Sequence, residues 1–408
     1  MTNEEVRDLL ERLSFIRTGG SDGELEAAEA LRARCEALGA RAWLEPFPVE
    51  MAEVESAELS VDGESVPCEG FRCAGNGTAE AELLYLPNTD PASLAKARGK
   101  IVLLDGFVTH FLYQDLYEAG AVGFITYTGN VHYADRDIDK KELRSYVSLG
   151  RKLPGVNINA RDAFRLVQSQ ARQASITLRQ REWTGESRNV VAEMPGSRDE
   201  WIVLSAHYDS TPLSLGAYDN LSGCLGQLCV LEALRDAPRT YGLRLIFCGS
   251  EERGLLGSKA YVETHAAELD KIALVVNLDM IGSVMGRFIA CVSGEEALVH
   301  YLRYLGAELG WGIAPRHGVY SSDSTPFADR GVPAVSFARS ALPSQANIHT
   351  RYDTPELLSP EQLRRDSAFV AEFTRRMACA AVCPVKREIP EKIRRELDEY
   401  LNRKRKEA

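Results

Sequence analysis

Histidine and carboxylate side chains recur in the second half of the chain, most of them where a short apolar run ends. The stretch "SAHYDS" contains His207 and Asp209, "GAYDNLSG" contains Asp219, and "GSEERG" contains the adjacent Glu251 and Glu252. Imidazole and carboxylate groups together form a ligand set that suits Zn²⁺, with Co²⁺ or Mn²⁺ as alternatives. The recurring pattern therefore indicates a metal centre.

Two later stretches add ligands of the same kinds. "NLDMIG" contains Asp279, and "NIHTRYDT" contains His349 and Asp353. Two histidines, two unshared carboxylates and one shared carboxylate supply two metal ions with three protein ligands each, and each ion keeps an open position for water or substrate. A single Asp at a strand end is more often a cap, and a single buried histidine is more often a packing residue. Their recurrence at several strand ends favours a two-ion catalytic site over that structural interpretation.

Four short apolar segments are predicted to be the strands that position these side chains: "WIVLSAH" (201–207), "LRLIF" (243–247), "IALVVNLD" (272–279) and "PAVSFA" (333–338). Helical segments alternate with them along the chain. Strands of near-continuous apolar character are typical of sheets that are covered on both faces. The pattern predicts an α/β fold, in which a mixed, mostly parallel twisted sheet has helices on both faces and carries its ligand site beyond the carboxyl ends of the strands.

The 408 residues are enough for two or three domains. Residues 1–49 and 190–383 are predicted to form the domain with the metal site, and residues 50–189, with their short alternating runs, a β-rich insert. Residues 384–408 are predicted to be a helical tail whose apolar stripe needs a surface, either on this chain or on a partner. The insert and the tail are the candidate contacts of a homodimer.

The composition of the chain argues against several classes of protein. The net charge of −11 argues against nucleic-acid binding, which needs a basic face. No apolar stretch approaches the roughly 18 residues of a membrane span, and the polar start of the chain lacks the features of a secretory signal. The nine cysteines form no CxxC motif, which fits reduced thiols in a cytoplasmic protein.

The series "AHYDS…GAYDNLSG…SEERGLLGS…NLDMIG…SSDSTPFADRGVP…IHTRYDT" resembles the co-catalytic di-zinc exopeptidase family. That family includes aminopeptidases and glutamate carboxypeptidases, with glutaminyl cyclases and the transferrin receptor as relatives. The resemblance covers residues 200–357, with every motif in the family's order. The insert resembles a protease-associated domain on fewer residues, mainly "GKIVLLDG" and "AGAVGFITY".

The resemblance implies a role for each ligand. His207 and Asp279 would hold one zinc ion, Glu252 and His349 would hold the other, and Asp219 would bridge the two. It also implies a cis peptide bond between Asp219 and Asn220.

The resemblance further implies that Glu251 is the general base and that Asp209 orients His207, because a metal-bound imidazole usually donates its second N–H to a carboxylate. Asp353 is a candidate for steadying the loop of His349, although a plain turn role fits equally well. Tyr320 is our candidate for stabilising the oxyanion.

One position departs from the family's pattern. The family usually has His after the Asp of the "SD" motif, whereas Ser324 follows Asp323 here. That His is not a metal ligand, so the departure bears on substrate contacts and leaves the metal ligands unaffected.

The favoured function is an aminopeptidase that hydrolyses peptide substrates at their N-terminus. A carboxypeptidase that prefers acidic residues is the first alternative, and it would need arginines near the site, for which Arg339, Arg351 and the loop 136–152 are candidates. A single-zinc glutaminyl cyclase is disfavoured by the full two-metal ligand set. A non-catalytic binding protein, like the transferrin receptor, is disfavoured because the ligands and the base are all present.

Overall fold

The computed structural model of the protein describes residues 1–105, 107–132 and 138–405. The chain divides into two compact units. Unit 1 contains Met1–Pro48 and Glu186–Ala408, and unit 2 contains Val49–Gly185. The helical tail, predicted as a separate segment, is part of unit 1.

The helices of the described residues are α1 (Asn3–Leu13), α2 (Asp22–Ala37), α3 (Pro91–Leu94), α4 (His110–Ala119), α5 (Ser145–Ser148), α6 (Ala160–Gln168), α7 (Ser222–Leu234), α8 (Leu256–Thr264), α9 (Glu296–Glu308), α10 (Ser324–Asp329), α11 (Pro360–Ala378) and α12 (Glu391–Tyr400). The strands are β1 (Arg41–Val61), β2 (Glu64–Val66), β3 (Glu69–Gly70), β4 (Gly77–Leu86), β5 (Ile101–Leu104), β6 (Gly123–Thr128), β7 (Gly155–Asn159), β8 (Gln173–Met194), β9 (Trp201–His207), β10 (Gly242–Cys248), β11 (Ile272–Leu278), β12 (Arg287–Ser293), β13 (Ala314–His317) and β14 (Ala334–Ser340). Strands β1 and β8 both cross the boundary between the two units.

Unit 1 is built on a mixed sheet with the order β13-β12-β14-β11-β9-β10-β8. The four central strands β14, β11, β9 and β10 are parallel to one another. Strand β12 runs antiparallel to β14, and β8 runs antiparallel to β10. Every residue of β9 and β10 is buried, as the continuous apolar character of their sequences predicted.

Helices cover both faces of this sheet. On one face, α1, α2, α7 and α11 share a large apolar core with the strands. On the other face, Tyr261 and Val262 of α8 and Phe327 of α10 pack against strand residues such as Val203 and Ile246. The predicted α/β class, with helices on both faces of a mostly parallel sheet, is confirmed.

Unit 2 combines strands with a few short helices. Strands β4, β5, β6 and β7 are parallel neighbours, and β8 and β3 flank them in antiparallel orientation. Helix α4 contributes Tyr113 and Leu116 to one apolar core, and α6 contributes Ala163 and Leu166 to another. The assignment of this unit to a protease-associated domain remains a prediction.

The tail lies on its own chain. Ile389, Ile393 and Leu397, the apolar stripe of the tail, are buried against Ala328 of α10. The part of the stripe formed by these three residues, which the sequence left open to this chain or to a partner, is therefore covered by unit 1.

Among the helices of the described residues, none is both long and apolar enough to cross a lipid bilayer.

Packing of the tail helix should contribute measurably to stability. We expect Leu397→Ala to lower the free energy of unfolding by about 2–4 kcal/mol, because it removes a fully buried aliphatic side chain. The exposed Arg395 on the same helix is the matched control, and Arg395→Ala should change that free energy by less than about 0.5 kcal/mol. Equal urea unfolding curves for the two variants would contradict the tail packing.

Candidate metal centre

The parallel strands deliver the candidate ligands to one edge of the sheet. His207 is the last residue of β9 and lies opposite Cys248, the last residue of β10. Glu251 and Glu252 follow β10 in a short 3₁₀ turn, and Asp279 follows β11 directly. The carboxyl ends of neighbouring parallel strands meet at this edge, which is the usual ligand site of open α/β sheets.

Asp219 comes from the irregular turn Ala217–Leu221 that precedes α7, and its backbone conformation is not helical. The Asp219–Asn220 peptide bond is cis, as the resemblance implied. The Asn220 side chain donates to the carbonyl of Leu278 and accepts from the N–H of Met280. These two hydrogen bonds join the turn to the segment that carries Asp279.

One carboxylate faces both histidines. Asp219 Oδ1 lies 3.0 Å from His207 Nε2, and Asp219 Oδ2 lies 3.1 Å from His349 Nε2. The His207 nitrogen is also 3.9 Å from Asp279 Oδ1, and the His349 nitrogen is 3.2 Å from Glu252 Oε2. The ligand atoms of each group of three lie within 4.8 Å of one another, so the structure brings together all five predicted metal ligands as two groups that share Asp219.

The two groups differ in their access to solvent. His207 and Asp279 are almost completely buried, whereas the His349 side chain is 47% exposed. The site is therefore open on the side of His349.

Two further carboxylates hold the backbone around the cluster. Asp209 accepts hydrogen bonds from the N–H groups of Glu251 (2.9 Å) and Glu252 (3.1 Å), and its Oδ1 lies 3.5 Å from His207 Nδ1. Asp353 accepts from the N–H groups of Tyr218 and Asp219. Asp209 thus contacts His207 at the end of β9 and also the turn of the two glutamates. Asp353 fixes the backbone of Asp219, the residue that both ligand groups share.

The adjacent glutamates take different positions. Glu252 belongs to one of the two ligand groups, whereas Glu251 belongs to neither of those found among the described residues. Burial raises the pKa of Glu251 well above its usual value, opposed by the charge of His207 and reinforced by that of Glu252. Glu251 is therefore close to the cluster without being one of its ligands.

Tyr320, the candidate for the oxyanion contact, is affected by the charge of one ligand. Burial and the carboxylate of Asp279 raise the pKa of its phenol well above the usual value, which keeps the hydroxyl protonated and able to donate. Its backbone carbonyl accepts a hydrogen bond from Thr325 Oγ1 at the start of α10.

The cluster has the chemistry of a cation site. Burial and the charge of Asp219 raise the pKa of Glu252 to about 8, and burial and the same carboxylate, against the opposing charge of His207, raise the pKa of Asp279 to about 7. Asp279 Oδ1 is buried without a hydrogen-bond partner among the described residues. Buried carboxylates of this kind are normally paired or bound to a metal, so the residues fit divalent cations.

The remaining histidines serve other contacts. His265 pairs with Glu45 and stacks on Tyr261, and His317 Nε2 lies 2.7 Å from the carbonyl of Gly294. His110 Nδ1 lies 2.6 Å from a backbone carbonyl of unit 2. Contacts outside the metal centre therefore account for these three.

Three residues near the site received no role from the sequence. Asp323 is fully buried, and burial together with the carboxylate of Asp209, against the opposing charge of His207, raises its pKa to about 6. It stands in the quoted "SSDST" stretch, so the motif itself was the available signal. Arg17 and Glu24 are also fully buried next to the site, and nothing in their local sequence marks them.

Comparison with known proteins agrees with this geometry. Residues 189–374 match the model of peptidase family M28. The matched segment, a little under half of the chain, is thus similar to this family. It contains every residue of the two ligand groups, together with Asp209, Glu251, Tyr320 and Asp353.

Curated proteins that are similar to this chain are named as aminopeptidases. Aminopeptidase YwaD of Bacillus subtilis is 29% identical over 274 residues, which cover 64% of this chain and 58% of that protein. Leucine aminopeptidase 2 of Trichophyton rubrum is 31% identical over 196 residues, which cover 46% of this chain and 38% of that protein. The chain thus spans less than two thirds of the length of these curated relatives.

The fold is shared with a solved aminopeptidase structure. The zinc aminopeptidase BSAP from Bacillus subtilis superimposes with a TM-score of 0.78 at 23% identity, over 96% of this chain and 98% of that one.

Metal affinity should rise with pH. Below about pH 7, Glu252 and Asp279 of the ion-free site carry protons that a cation must displace. We expect the apparent Zn²⁺ affinity to increase between pH 6 and pH 8, roughly tenfold per pH unit for each proton released. Competition with a chelating indicator of known affinity, corrected for its own protonation, measures this. An affinity that is constant over this range would contradict the assigned ligands.

Proposed function

We propose that this protein is a metal-dependent aminopeptidase that binds two divalent ions, most favourably Zn²⁺, and releases residues from the N-terminus of peptides. The observation that carries the proposal is the shared Asp219 carboxylate, with one imidazole nitrogen close to each of its oxygens. The names of the M28 relatives and the zinc of BSAP support the activity and the metal. Co²⁺ and Mn²⁺ suit the same ligands.

His207 and Asp279 would hold one ion, Glu252 and His349 the other, and Asp219 both. Three protein ligands for each ion leave positions for water and substrate, as in catalytic metal sites. Two ions so placed supply Lewis acidity that polarises the scissile carbonyl and acidifies a water molecule.

Glu251 is the proposed general base. It is near the ligands without joining them, and its raised pKa suits a group that accepts a proton from water and returns it to the leaving amine. Asp209 orients the turn of Glu251 through its backbone N–H. Tyr320, whose raised pKa keeps the phenol protonated, is the proposed hydrogen-bond donor to the oxyanion.

The carboxypeptidase alternative loses one of its candidate arginines. Arg339 makes a two-point ion pair with the buried Asp366 and also donates to the carbonyl of Gly286. Its guanidinium is thus committed within unit 1. Within the loop 136–152, residues 136 and 137 lie outside the described residues, so the structure does not address them.

The expected homodimer and the cytoplasmic location remain predictions, as does the protease-associated assignment of unit 2.

Substitution of Glu251 and substitution of Glu252 should have different effects on activity and metal content. Glu251→Gln should keep both metal ions and lower kcat by at least 10²-fold, because it removes the proton acceptor. Glu252→Gln should lose occupancy of one ion, because it removes a ligand. Metal content by atomic emission and turnover of an aminoacyl anilide measure both variants. Loss of metal in Glu251→Gln, with full occupancy in Glu252→Gln, would reverse the assignment.

A matched pair of substrates tests the end of the peptide that is attacked. We expect the zinc-loaded protein to hydrolyse peptides with a free N-terminal amine and to leave the same peptides with an acetylated N-terminus intact. Peptides amidated at the C-terminus are the control and should still be cleaved. Cleavage of acetylated peptides with a free C-terminus would favour the carboxypeptidase instead.

A further inference from the structure

A buried arginine from the N-terminal segment contacts the loops of the metal centre. Arg17 is completely buried. Its guanidinium donates five hydrogen bonds, all to backbone carbonyls, those of Leu13, Phe15, Tyr208, Leu215 and Gly216. Fully buried arginines are rare and normally have a carboxylate partner. An arrangement with carbonyl acceptors alone suits a side chain that fixes the path of the backbone.

Three of these carbonyls belong to the turns that carry metal ligands. Tyr208 stands between His207 and Asp209, and its carbonyl accepts from Arg17 Nε at 2.7 Å. Leu215 and Gly216 lead into the turn that presents Asp219. One guanidinium therefore joins the backbone that follows His207 to the backbone that precedes Asp219.

The backbone of Arg17 reinforces the same contact. Its N–H donates to Ser210 Oγ at 3.0 Å, and its carbonyl accepts from the N–H of Ser210 at 3.1 Å. Burial lowers the pKa of the Arg17 guanidinium, and the charges of Asp209 and Asp353, the two carboxylates that support the site, oppose that shift. Arg17 thus balances part of the negative charge around the ligands as well as fixing their backbone.

Glu24, on α2, holds the third turn. Its carboxylate accepts from Ser250 N (2.9 Å), Ser250 Oγ (3.2 Å) and Ser187 Oγ (2.7 Å). Ser250 directly precedes Glu251 and has a φ of 52°, in the left-handed region that is uncommon for residues other than glycine. The approach is close, because a Cβ added at Gly19 would lie 2.2 Å from Ser250 Oγ.

We propose that Arg17 and Glu24 are positioning residues, through which the segment 17–24 fixes the turns of His207, Asp219 and the two glutamates in their metal-binding geometry. This segment lies outside the residues 189–374 that match the M28 family. The inference rests on the proposed function in one respect, since the ions whose binding it affects are those proposed above. The segment is thereby a part of the metal site and more than a packing element.

If Arg17 served stability alone, its substitution would leave Zn²⁺ binding unchanged. Arg244 of unit 1 is a matched control. Arg244 is also buried, and it pairs with Glu193, bonds to the hydroxyl of Tyr261 and stacks on Trp201, away from the ligand turns. Both Arg17→Met and Arg244→Met should lower the unfolding temperature. Only Arg17→Met should weaken Zn²⁺ binding, by at least tenfold, and lower kcat at least tenfold with KM changed less than threefold.

The experiment measures Zn²⁺ affinity with a chelating indicator, kcat and KM on an aminoacyl anilide, and thermal unfolding, for the full chain. Arg17→Lys is made alongside, because lysine keeps the charge but cannot reach five separated carbonyls. It should bind Zn²⁺ more tightly than Arg17→Met and less tightly than the wild type. Arg17→Lys also carries the test if Arg17→Met does not fold. Zn²⁺ affinities of the Arg17 variants within twofold of the Arg244→Met value would overturn the role of Arg17.

Glu24 is tested by a second pair of variants. Glu24→Gln keeps an acceptor for the N–H of Ser250, whereas Glu24→Ala removes it, so kcat should fall at least tenfold more in the alanine variant. Equal kcat values for the two would overturn the role of Glu24. A wild-type chain that binds Zn²⁺ without hydrolysing any peptide overturns the proposed function, while the affinity comparison still decides the role of Arg17.

Discussion

The structure depends on one buried carboxylate that must serve two imidazoles. Asp219 presents one oxygen to His207 and the other to His349, at 3.0 and 3.1 Å. With Glu252 and Asp279 beside it, the site concentrates negative charge where little water reaches, and such a concentration is stable only when cations or protons balance it. Burial raises the pKa of Asp219, but hydrogen bonds from the two histidines outweigh this and lower it below its usual range. The shared group is thus ionised and ready to bridge.

The fold holds the ligands around Asp219 through the ends of its strands and through hydrogen bonds to the backbone. Parallel strands β9, β10 and β11 bring three chain segments to one edge, and the irregular turn before α7 supplies the fourth. Asp209 and Asp353 then accept backbone N–H groups, which fixes the main chain at Glu252 and at Asp219. The adjacent Glu251 and Glu252 take separate positions because two carboxylates hold their turn. Asp209 accepts from the N–H groups of both glutamates, and Glu24 accepts from the N–H of Ser250.

Sequence reasoning recovered the parts of this site that leave a local signature. Each of His207, Glu252 and Asp279 stands at or just beyond the end of a recognisable apolar strand, and the resemblance supplied the pairing of ligands and the cis peptide. Arg17 had no such signature, because its partners at the metal site are 191 to 199 residues away, and only the folded chain brings them together. The surface that covers the tail stripe was undetermined for the same reason, since α10 is distant in sequence.

The central claim is that Asp219 bridges two ions, and anomalous diffraction at the zinc absorption edge from zinc-loaded crystals of the full chain tests it most directly. The account predicts two zinc peaks for each chain, one beside Asp219 Oδ1 with His207 and Asp279, and one beside Asp219 Oδ2 with His349 and Glu252. A single peak at saturating zinc, or two peaks that do not both contact Asp219, would contradict it.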